Sequence, residues 1–219
     1  MKNKDLFLSN NSIAYNFINN YEYPYEVLPH INDFIIEISK NLDDNYKQIK
    51  ENVWVHNSAK VASSASITGP CIIDENAEIR HCAFIRGKAI IGKNSVLGNS
   101  CEIKNSILFD NVQVPHFNYI GDSILGYKSH MGAGSITSNI KSDKSNIVIK
   151  CNNENIVTDM RKIGAFLGDY VEVGCNSVLN PGTIIGCNSN VYPLTSVRGV
   201  IPKNSIVKGM NNIVLKEVK

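Results

Sequence analysis

From residue 61 to residue 114, an aliphatic or aromatic side chain returns at every sixth position. A period of six matches neither the 3.6-residue period of an amphipathic helix nor the alternation of a simple strand. It is typical of a hexapeptide solenoid, in which each step forms one short strand and one corner and three steps form a coil of about 18 residues. The pattern therefore predicts an all-β fold, a parallel β-helix. The large positions are Val61, Ile67, Ile73, Ile79, Ile85, Ile91, Leu97, Ile103 and Phe109.

The repeat also divides the chain into parts. Residues 1–52 lack it and are predicted to form a short helical N-terminal extension, with helices over 12–20 and 32–42 packed as a cap on the open end of the solenoid. Residues 53–210 are predicted to be the β-helix domain. Residues 211–219 are predicted to be a C-terminal tail.

Two departures interrupt the β-helix domain. After Phe109 the large residues resume only at Leu125, so residues 115–124 are predicted to hold four residues more than the repeat needs. Residues 140–166 form a longer departure and are predicted to leave the coil as a hairpin-like loop. Loops held by a regular scaffold often carry binding and chemistry, so both departures are candidates for function.

Composition excludes several classes of protein. The 219 residues carry a formal net charge of +2, which does not indicate a nucleic-acid partner. No stretch of about 20 apolar residues predicts a membrane span, and the N-terminus lacks the apolar segment of a secretory signal. The six cysteines contain no CxxC pair. We therefore expect a cytoplasmic protein with reduced cysteines and without a metal site.

Two basic residues stand out because of their place in the repeat. Arg86 and Lys104 each follow an inward residue and lie 18 residues apart, so both should point outward from one face, about 4.8 Å from each other. Like charges at that distance repel unless something anionic joins them. Two explanations stay open. The side chains either reach solvent or pair with Glu102 or Asp122, or they hold a phosphate or carboxylate, for which arginine supplies planar paired donors.

His116 is the candidate general base. It opens the first departure, within about one coil of the two cations, and Tyr119 follows in the same segment. An imidazole in that place can remove a proton from an amine or hydroxyl that attacks a carbonyl.

Four segments together resemble a known family. They are AFIRG around Arg86, CEIKNS around Lys104, VPHFNYIGD at 114–122 and GAGSITSN at 132–139. Over residues 79–139 the chain resembles the acetyltransferase domain of the bacterial bifunctional N-acetylglucosamine-1-phosphate uridyltransferases. The resemblance implies a left-handed parallel β-helix that forms homotrimers with active sites between subunits. It also implies acetyl transfer from acetyl-CoA to the 2-amino group of glucosamine-1-phosphate.

The resemblance implies a role for each matching residue. His116 would be the general base, Glu102 a carboxylate that orients it, and Asn139 a group that positions the sugar or the acetyl group. The residues that would hold the sugar phosphate are Arg86, Lys104 and Tyr119.

The chain departs from the family pattern at three positions around the sugar and the CoA. His130 stands where the family has a sugar-contacting asparagine, Lys144 is the counterpart of a lysine that follows a different loop, and Cys175 replaces a serine near the thioester. These changes leave the phosphorylated amino sugar better supported than its exact identity.

Several alternatives stay open. The 52 residues before the repeat cannot hold a nucleotide-binding domain, so pyrophosphorylase activity is not expected in this chain. A zinc-binding carbonic anhydrase with this fold would need a third ligand where Gly121 stands. Other hexapeptide acyltransferases do not predict the Arg86/Lys104 pair. A non-catalytic subunit that binds a sugar phosphate and docks a separate nucleotidyltransferase would retain the same site.

Overall fold

The computed structural model describes residues 1–8, 10–151, 154–209 and 212–217. Among these residues, the chain winds through three sheets that form the sides of a prism, which we call faces A, B and C. Successive coils pair in parallel, and within the described ranges antiparallel pairing occurs only at the two ends of the coil and in one hairpin. The predicted fold class, a parallel β-helix of hexapeptide repeats with a helical N-terminal extension, is confirmed.

The strands of face A are Tyr46–Lys50, Val53–His56, Cys71–Ile73, Ala89–Ile91, Ser106–Leu108, Ile124–Leu125, Ala165–Leu167, Thr183–Ile185 and Val200–Ile201. Those of face B are Lys60–Val61, Glu78–Ile79, Val96–Asn99, Gln113–His116, His130–Met131, Glu172–Val173, Asn190–Val191, Ser205–Gly209 and Asn212–Leu215. Those of face C are Ser66–Ile67, Phe84–Ile85, Glu102–Lys104, Tyr119–Gly121, Ile136–Thr137, Val178–Leu179 and Ser196–Val197.

The interior of the prism is a set of stacked aliphatic columns. On face A, for example, Ile73 pairs with Ile91, and Ile91 pairs with Leu108 on the next coil. All three side chains are fully buried. Each such side chain contributes about 1.5–3 kcal/mol when it is removed from water, so the columns stabilise the coil along its whole length.

The first departure from the repeat differs from the prediction. Residues 115–124 hold no insertion. Instead, the corners between Ile103 and Leu108 and between Ile120 and Leu125 are each one residue shorter than a full hexad, so these coils have 17 residues. The prediction failed because Phe109 was taken as an inward residue. Its ring lies outside the inward column and stacks on Phe7 of the extension, with centroids 4.9 Å apart.

The N-terminal extension is helical, but its helices are shorter than predicted. The α-helices are Asn3–Leu6, Tyr15–Ile18, Pro24–Val27 and Ile31–Ile38, and the 3₁₀-helices are Leu28–His30 and Ser39–Asn41.

The helices of the extension do not cap the open end of the solenoid, which corrects the prediction; it is the strand Tyr46–Lys50 that pairs at that end. The helices cover the outer surface of face A: the helix Ile31–Ile38 contacts the strand Ala89–Ile91, and Leu6 accepts a hydrogen bond from the Cys187 thiol at 3.2 Å. The reason is a second apolar column that points outward on this face and needs a cover. Its fully buried members are Ile72, Ile90, Ile107, Ile124, Phe166 and Ile184.

The second departure contains a two-stranded antiparallel hairpin, Val148–Cys151 with Glu154–Val157. The chain returns to the coil through Ile163 and Gly164, whose backbone N–H groups donate to Asn139 and Asp122 at 3.1 and 2.8 Å. This return brings the end of the loop against the corner between faces C and A.

Candidate functional site

Arg86 and Lys104 occupy neighbouring rungs of one outward column on face C. The strands pair in parallel with Ile85 beside Ile103, and the Arg86 amide donates to the Ile103 carbonyl at 2.9 Å. Strand spacing therefore puts the two basic side chains about 4.8 Å apart at their bases, as the 18-residue spacing predicts.

Each of the two cations has a carboxylate partner. Arg86 Nη1 lies 2.7 Å from Glu102 Oε1, and Lys104 Nζ lies 3.3 Å from Asp122 Oδ2. The hydrogen bond that Arg86 donates to Glu102 raises the pKa of the guanidinium, which keeps its charge fixed. Because the Arg86 pair is largely exposed, it adds little stability. The Glu102 carboxylate thus bonds to Arg86, and among the described residues no hydrogen bond joins it to His116, the residue it was predicted to orient.

Asp122 is the centre of a buried polar network at the corner between faces C and A. Its Oδ2 accepts from Lys104 and from Asn139 Nδ2, and its Oδ1 accepts from Asn105 Nδ2 at 2.9 Å. Only 4% of the residue is exposed. Sequence analysis considered Asp122 only as an ion-pair partner. The 17-residue step from Asn105 to Asp122, one shortened coil, is the signal that marks them as stacked corner residues.

Tyr119 contacts this network through Asn139. Its Oη is 3.2 Å from Asn139 Nδ2, so the two predicted site residues are in contact. Gly121 makes this possible, because a Cβ there would lie 2.5 Å from the Tyr119 hydroxyl and 2.9 Å from Asn139 Nδ2. Burial is the main cause that raises the pKa of Tyr119, so its hydroxyl stays protonated and can donate to an anion.

His116 lies at the edge between faces B and C, and its side chain is exposed. The backbone on both sides of the ring is fixed: the His116 amide donates to Asn118 Oδ1 at 3.0 Å, and its carbonyl accepts from Gly134 at 2.9 Å. Over the described part of the chain, no hydrogen bond is made to the imidazole itself. The ring is therefore available to accept a proton from a bound molecule.

Asn118 holds this edge in place, and sequence analysis missed it. The residue is buried, and its Nδ2 donates to the Gly132 carbonyl at 2.8 Å and to the Ser135 carbonyl at 3.0 Å. Together with the bond from His116, these contacts tie two consecutive coils at the edge. A buried asparagine two residues after the candidate base is the sequence signal for such a clamp.

His130 is not beside the cations. It points outward on face B, one side of the prism away, and its Nδ1 lies 2.8 Å from Glu172 Oε2. Within one subunit it cannot contact a sugar held by Arg86 and Lys104. The structure thus separates a residue that sequence analysis placed with the substrate-binding group.

The two predicted cofactor-binding residues lie apart from each other. Cys175 is exposed and lies on the same edge as His116, two coils further along the prism. Backbone hydrogen bonds show this register: the Gly134 amide donates to the His116 carbonyl, and the Asn176 amide donates to the Ala133 carbonyl on the coil between them. Two rungs correspond to about 10 Å. Lys144 is exposed in the loop that follows Asn139, and its carbonyl accepts from Arg161 Nε at 3.2 Å.

Among the residues with described positions, no three His, Cys, Asp or Glu side chains lie close enough together to hold a metal ion. No helix among them is long and apolar enough to cross a membrane.

Comparison with known proteins extends the resemblance. The chain is 33% identical over 206 residues to the bifunctional protein GlmU of Methanococcus aeolicus, which covers 85% of this chain and 50% of that protein. It is 32% identical to the bifunctional sugar-1-phosphate nucleotidylyltransferase/acetyltransferase of Sulfurisphaera tokodaii, over 73% of this chain and 43% of that protein. The chain thus spans about half the length of these relatives. The predicted resemblance to the bifunctional enzymes is confirmed.

Solved structures give weaker matches. The polySia-specific acetyltransferase NeuO aligns with 76% of this chain and 88% of its own, at 14% identity and a TM-score of 0.45. The acetyltransferase domain of PglB from Neisseria gonorrhoeae, in complex with acetyl coenzyme A, aligns with 85% of this chain and 67% of its own, at 14% identity and a TM-score of 0.36. Likenesses at this level carry no inference about ligands.

The family comparison covers more than half of the chain. Residues 67–187, which include both shortened corners, the hairpin loop and the His116 edge, match the model of the GMPPB C-terminal domain. The chain therefore belongs to the GMPPB C-terminal domain family.

Proposed function

We propose that this chain is an acetyl-CoA-dependent N-acetyltransferase that acts on an amino-sugar phosphate such as glucosamine-1-phosphate. The observation that carries the proposal is the arrangement on face C. Arg86 and Lys104 stand one rung apart, Tyr119 and Asn139 adjoin them, and the exposed His116 lies at the edge of the same face.

The cation column is the proposed phosphate site. The Arg86 guanidinium and the Lys104 ammonium, on adjacent strands, can donate to several oxygens of one phosphate. The Tyr119 hydroxyl adds a neutral donor. The bound phosphate replaces Glu102 and Asp122 as the anion nearest each cation, or joins them. Fixing the phosphate orients the sugar amine relative to His116, which removes part of the entropic barrier to reaction.

The proposed reaction is direct transfer. The amine nitrogen attacks the thioester carbonyl of acetyl-CoA, the C–N bond forms and the C–S bond breaks. His116 takes the proton that the amine loses and gives it to the departing sulfur, so CoA leaves as its thiol. Asn139, whose side-chain amide is held by Asp122 and Tyr119, is the proposed group that positions the sugar or the acetyl carbonyl.

The proposed acetyl-CoA site lies along the His116 edge. Cys175 stands about two rungs from the base on that edge, which suits a position near the thioester. Lys144 is exposed on the loop and is the proposed contact for a CoA phosphate.

A homotrimer with sites between subunits is part of the proposal. Face A is already covered by the extension, so faces B and C remain for subunit contacts. Phe117 and Leu194 flank the His116 edge and are 63% and 80% exposed, although both are apolar. A neighbouring subunit at this edge would cover them and would give His130, on face B, a route to a sugar bound on face C of another subunit.

Release of CoA tests the proposal. The purified chain should release CoA from acetyl-CoA when glucosamine-1-phosphate is added, and mass spectrometry should find the acetyl group on the sugar nitrogen. If an amino-sugar phosphate binds measurably to intact oligomers and no CoA is released across a panel of such acceptors, the regulatory alternative replaces catalysis.

A further inference from the structure

A cavity lies beside the proposed phosphate site, at the corner between faces C and A. Its volume is about 560 Å³, within the usual range of about 300–1,000 Å³ for small-molecule sites. We call it the corner cavity and define it by Lys88, Asp122, Ile140, Arg161 and Lys162, which line it. The two segments that lie outside the repeat, the N-terminal extension and the hairpin loop, both contribute to its wall.

The corner cavity adjoins the phosphate site at Asp122, which lines the cavity and contacts Lys104. One oxygen of this carboxylate contacts Lys104 and the other contacts Asn105, which also lines the cavity. Three corner residues lie one above the other on successive coils: Lys88, Asn105 and Asp122. The Asn105 amide donates to the Gly87 carbonyl, and the Asp122 amide donates to the Lys104 carbonyl. A ligand on the cations of face C that extends around this one corner would therefore enter the cavity.

The charge of the corner cavity favours an anion. Its cationic side chains are Lys88, Arg161 and Lys162, and among the described residues none of them is ion-paired. Its single acid, Asp122, is already bonded to Lys104 and two asparagines. The return of the loop fixes the two basic residues at the rim, because the next residue, Ile163, donates to the Asn139 carbonyl at 3.1 Å.

The rest of the wall is apolar. Leu28 and Pro29 come from the extension, Ile140 and Met160 from the two ends of the loop. Leu28 is buried in the core that joins the extension to face A, so this wall is held by packing. A phosphate ion alone would use the cations and leave these surfaces without a partner. An anionic group that carries a flat, partly apolar body would use both.

From these observations, and resting on the proposed function, we propose that the acceptor is a nucleotide-linked amino sugar whose nucleoside diphosphate occupies the corner cavity. The amine then lies at His116, one phosphate lies on Arg86 and Lys104, and the second phosphate lies near Lys88, Arg161 and Lys162. The base packs on Pro29 and Met160, two of the apolar lining residues that are accessible from the cavity. His116 and Asp122 are six residues apart, at most about 20 Å, so a single extended ligand spans both ends.

The first test measures binding without catalysis. Calorimetric titration of the full chain with UDP and with GDP should give a dissociation constant below about 1 mM for at least one of them. The double variant R161S/K162S should weaken that binding about tenfold or more, as expected when charge-assisted contacts to phosphate are lost. The control K47S changes an exposed lysine on the strand Tyr46–Lys50 and should leave binding within twofold.

A second variant, outside the loop, separates loss of a charge from misfolding of the loop. Lys88 has a backbone φ of 53°, which asparagine tolerates, so K88N removes the charge without backbone strain. It should weaken nucleotide binding by at least threefold and keep the thermal unfolding midpoint of the parent. Absence of UDP and GDP binding, or equal binding by all variants, overturns the proposal.

The second test compares acceptors by release of CoA. UDP-glucosamine should have a kcat/KM at least tenfold higher than that of glucosamine-1-phosphate, and R161S/K162S should reduce this ratio toward one. If nucleotides bind and glucosamine-1-phosphate is still the better acceptor, the corner cavity is an effector site and the acceptor assignment fails. If nucleotide binding behaves as expected and neither acceptor is acetylated, the acetyltransferase function fails while the nucleotide site stands.

Discussion

Faces A and C are built from the same backbone and differ in the side chains that point outward. On face A the outward column is apolar, from Ile72 to Ile184, and the N-terminal extension buries it completely. On face C the equivalent rows contain Glu102, Tyr119 and the Arg86/Lys104 pair, and they stay open. The inward residues determine that a coil forms, whereas the outward residues determine what each face binds.

The largest expected effect is at His116, at the edge of the open face C. The variant His116→Ala should lower kcat for acetyl transfer by about 10²–10⁴-fold, the usual contribution of a general base. His81→Ala is the matched control, since His81 lies on the same edge two rungs away and bonds to Ser64 at 2.6 Å. Steady-state CoA release would measure both, and an equal rate for His116→Ala and the parent would remove this residue from the mechanism.

A substitution in the outward column of face A should lower the stability of the fold. The variant Ile90→Ala removes a fully buried side chain under the helix Ile31–Ile38 and should lower the free energy of unfolding by about 2–5 kcal/mol. Phe84→Ala changes the equivalent outward position of face C, where the ring is 39% exposed, and should cost less than about 1 kcal/mol. Denaturant unfolding would compare the two. Similar losses would contradict the distinction between a covered face and an open one.

Substitution of Arg86 should change the KM for the acceptor. Loss of a charge-assisted bond to phosphate, worth about 1.5–3 kcal/mol, predicts a KM for the phosphorylated acceptor that rises about 10–100-fold in Arg86→Ala. A non-phosphorylated amino sugar should be affected far less. Arg198 follows in the same outward column at the far end of face C, where it bonds to Asn180, and Arg198→Ala serves as the control. The clamp would be refuted by an equal change for phosphorylated and free sugars.

Tyr119 should give the smallest change. The variant Tyr119→Phe keeps the ring over Gly121 and removes the hydroxyl that accepts from Asn139 and is available to phosphate. The net value of one hydrogen bond, about 0.5–1.5 kcal/mol, predicts a two- to tenfold loss in kcat/KM. The unfolding midpoint should stay close to that of the parent. A loss greater than 100-fold would assign Tyr119 a role in the chemical step.

The prism and the cation column could be predicted from local spacing, and His116, Tyr119 and Asn139 from the resemblance, but the polar network around Asp122 could not. The step from Arg86 to Lys104 is one full coil, so the register follows directly from the count. Asp122 and Asn105 were not recognised as stacked because one missing residue at each corner shifts the count. The cover on face A also had a signal that was overlooked, a pair of adjacent large apolar residues such as Ile72 and Ile73 on every coil of that face.

The sequence by itself determined the coil, its inward columns and the pairing of Arg86 with Lys104, because a period of six converts directly into neighbouring rungs about 4.8 Å apart. Only the tertiary structure decided that the extension lies on face A, that Asp122 joins Lys104 to Asn139, and that the corner cavity exists. These features depend on contacts between segments far apart in the chain. Such contacts are selected by packing and charge in three dimensions, whereas the spacing along the sequence shows that a corner column or an apolar face exists and not which segment lies against it.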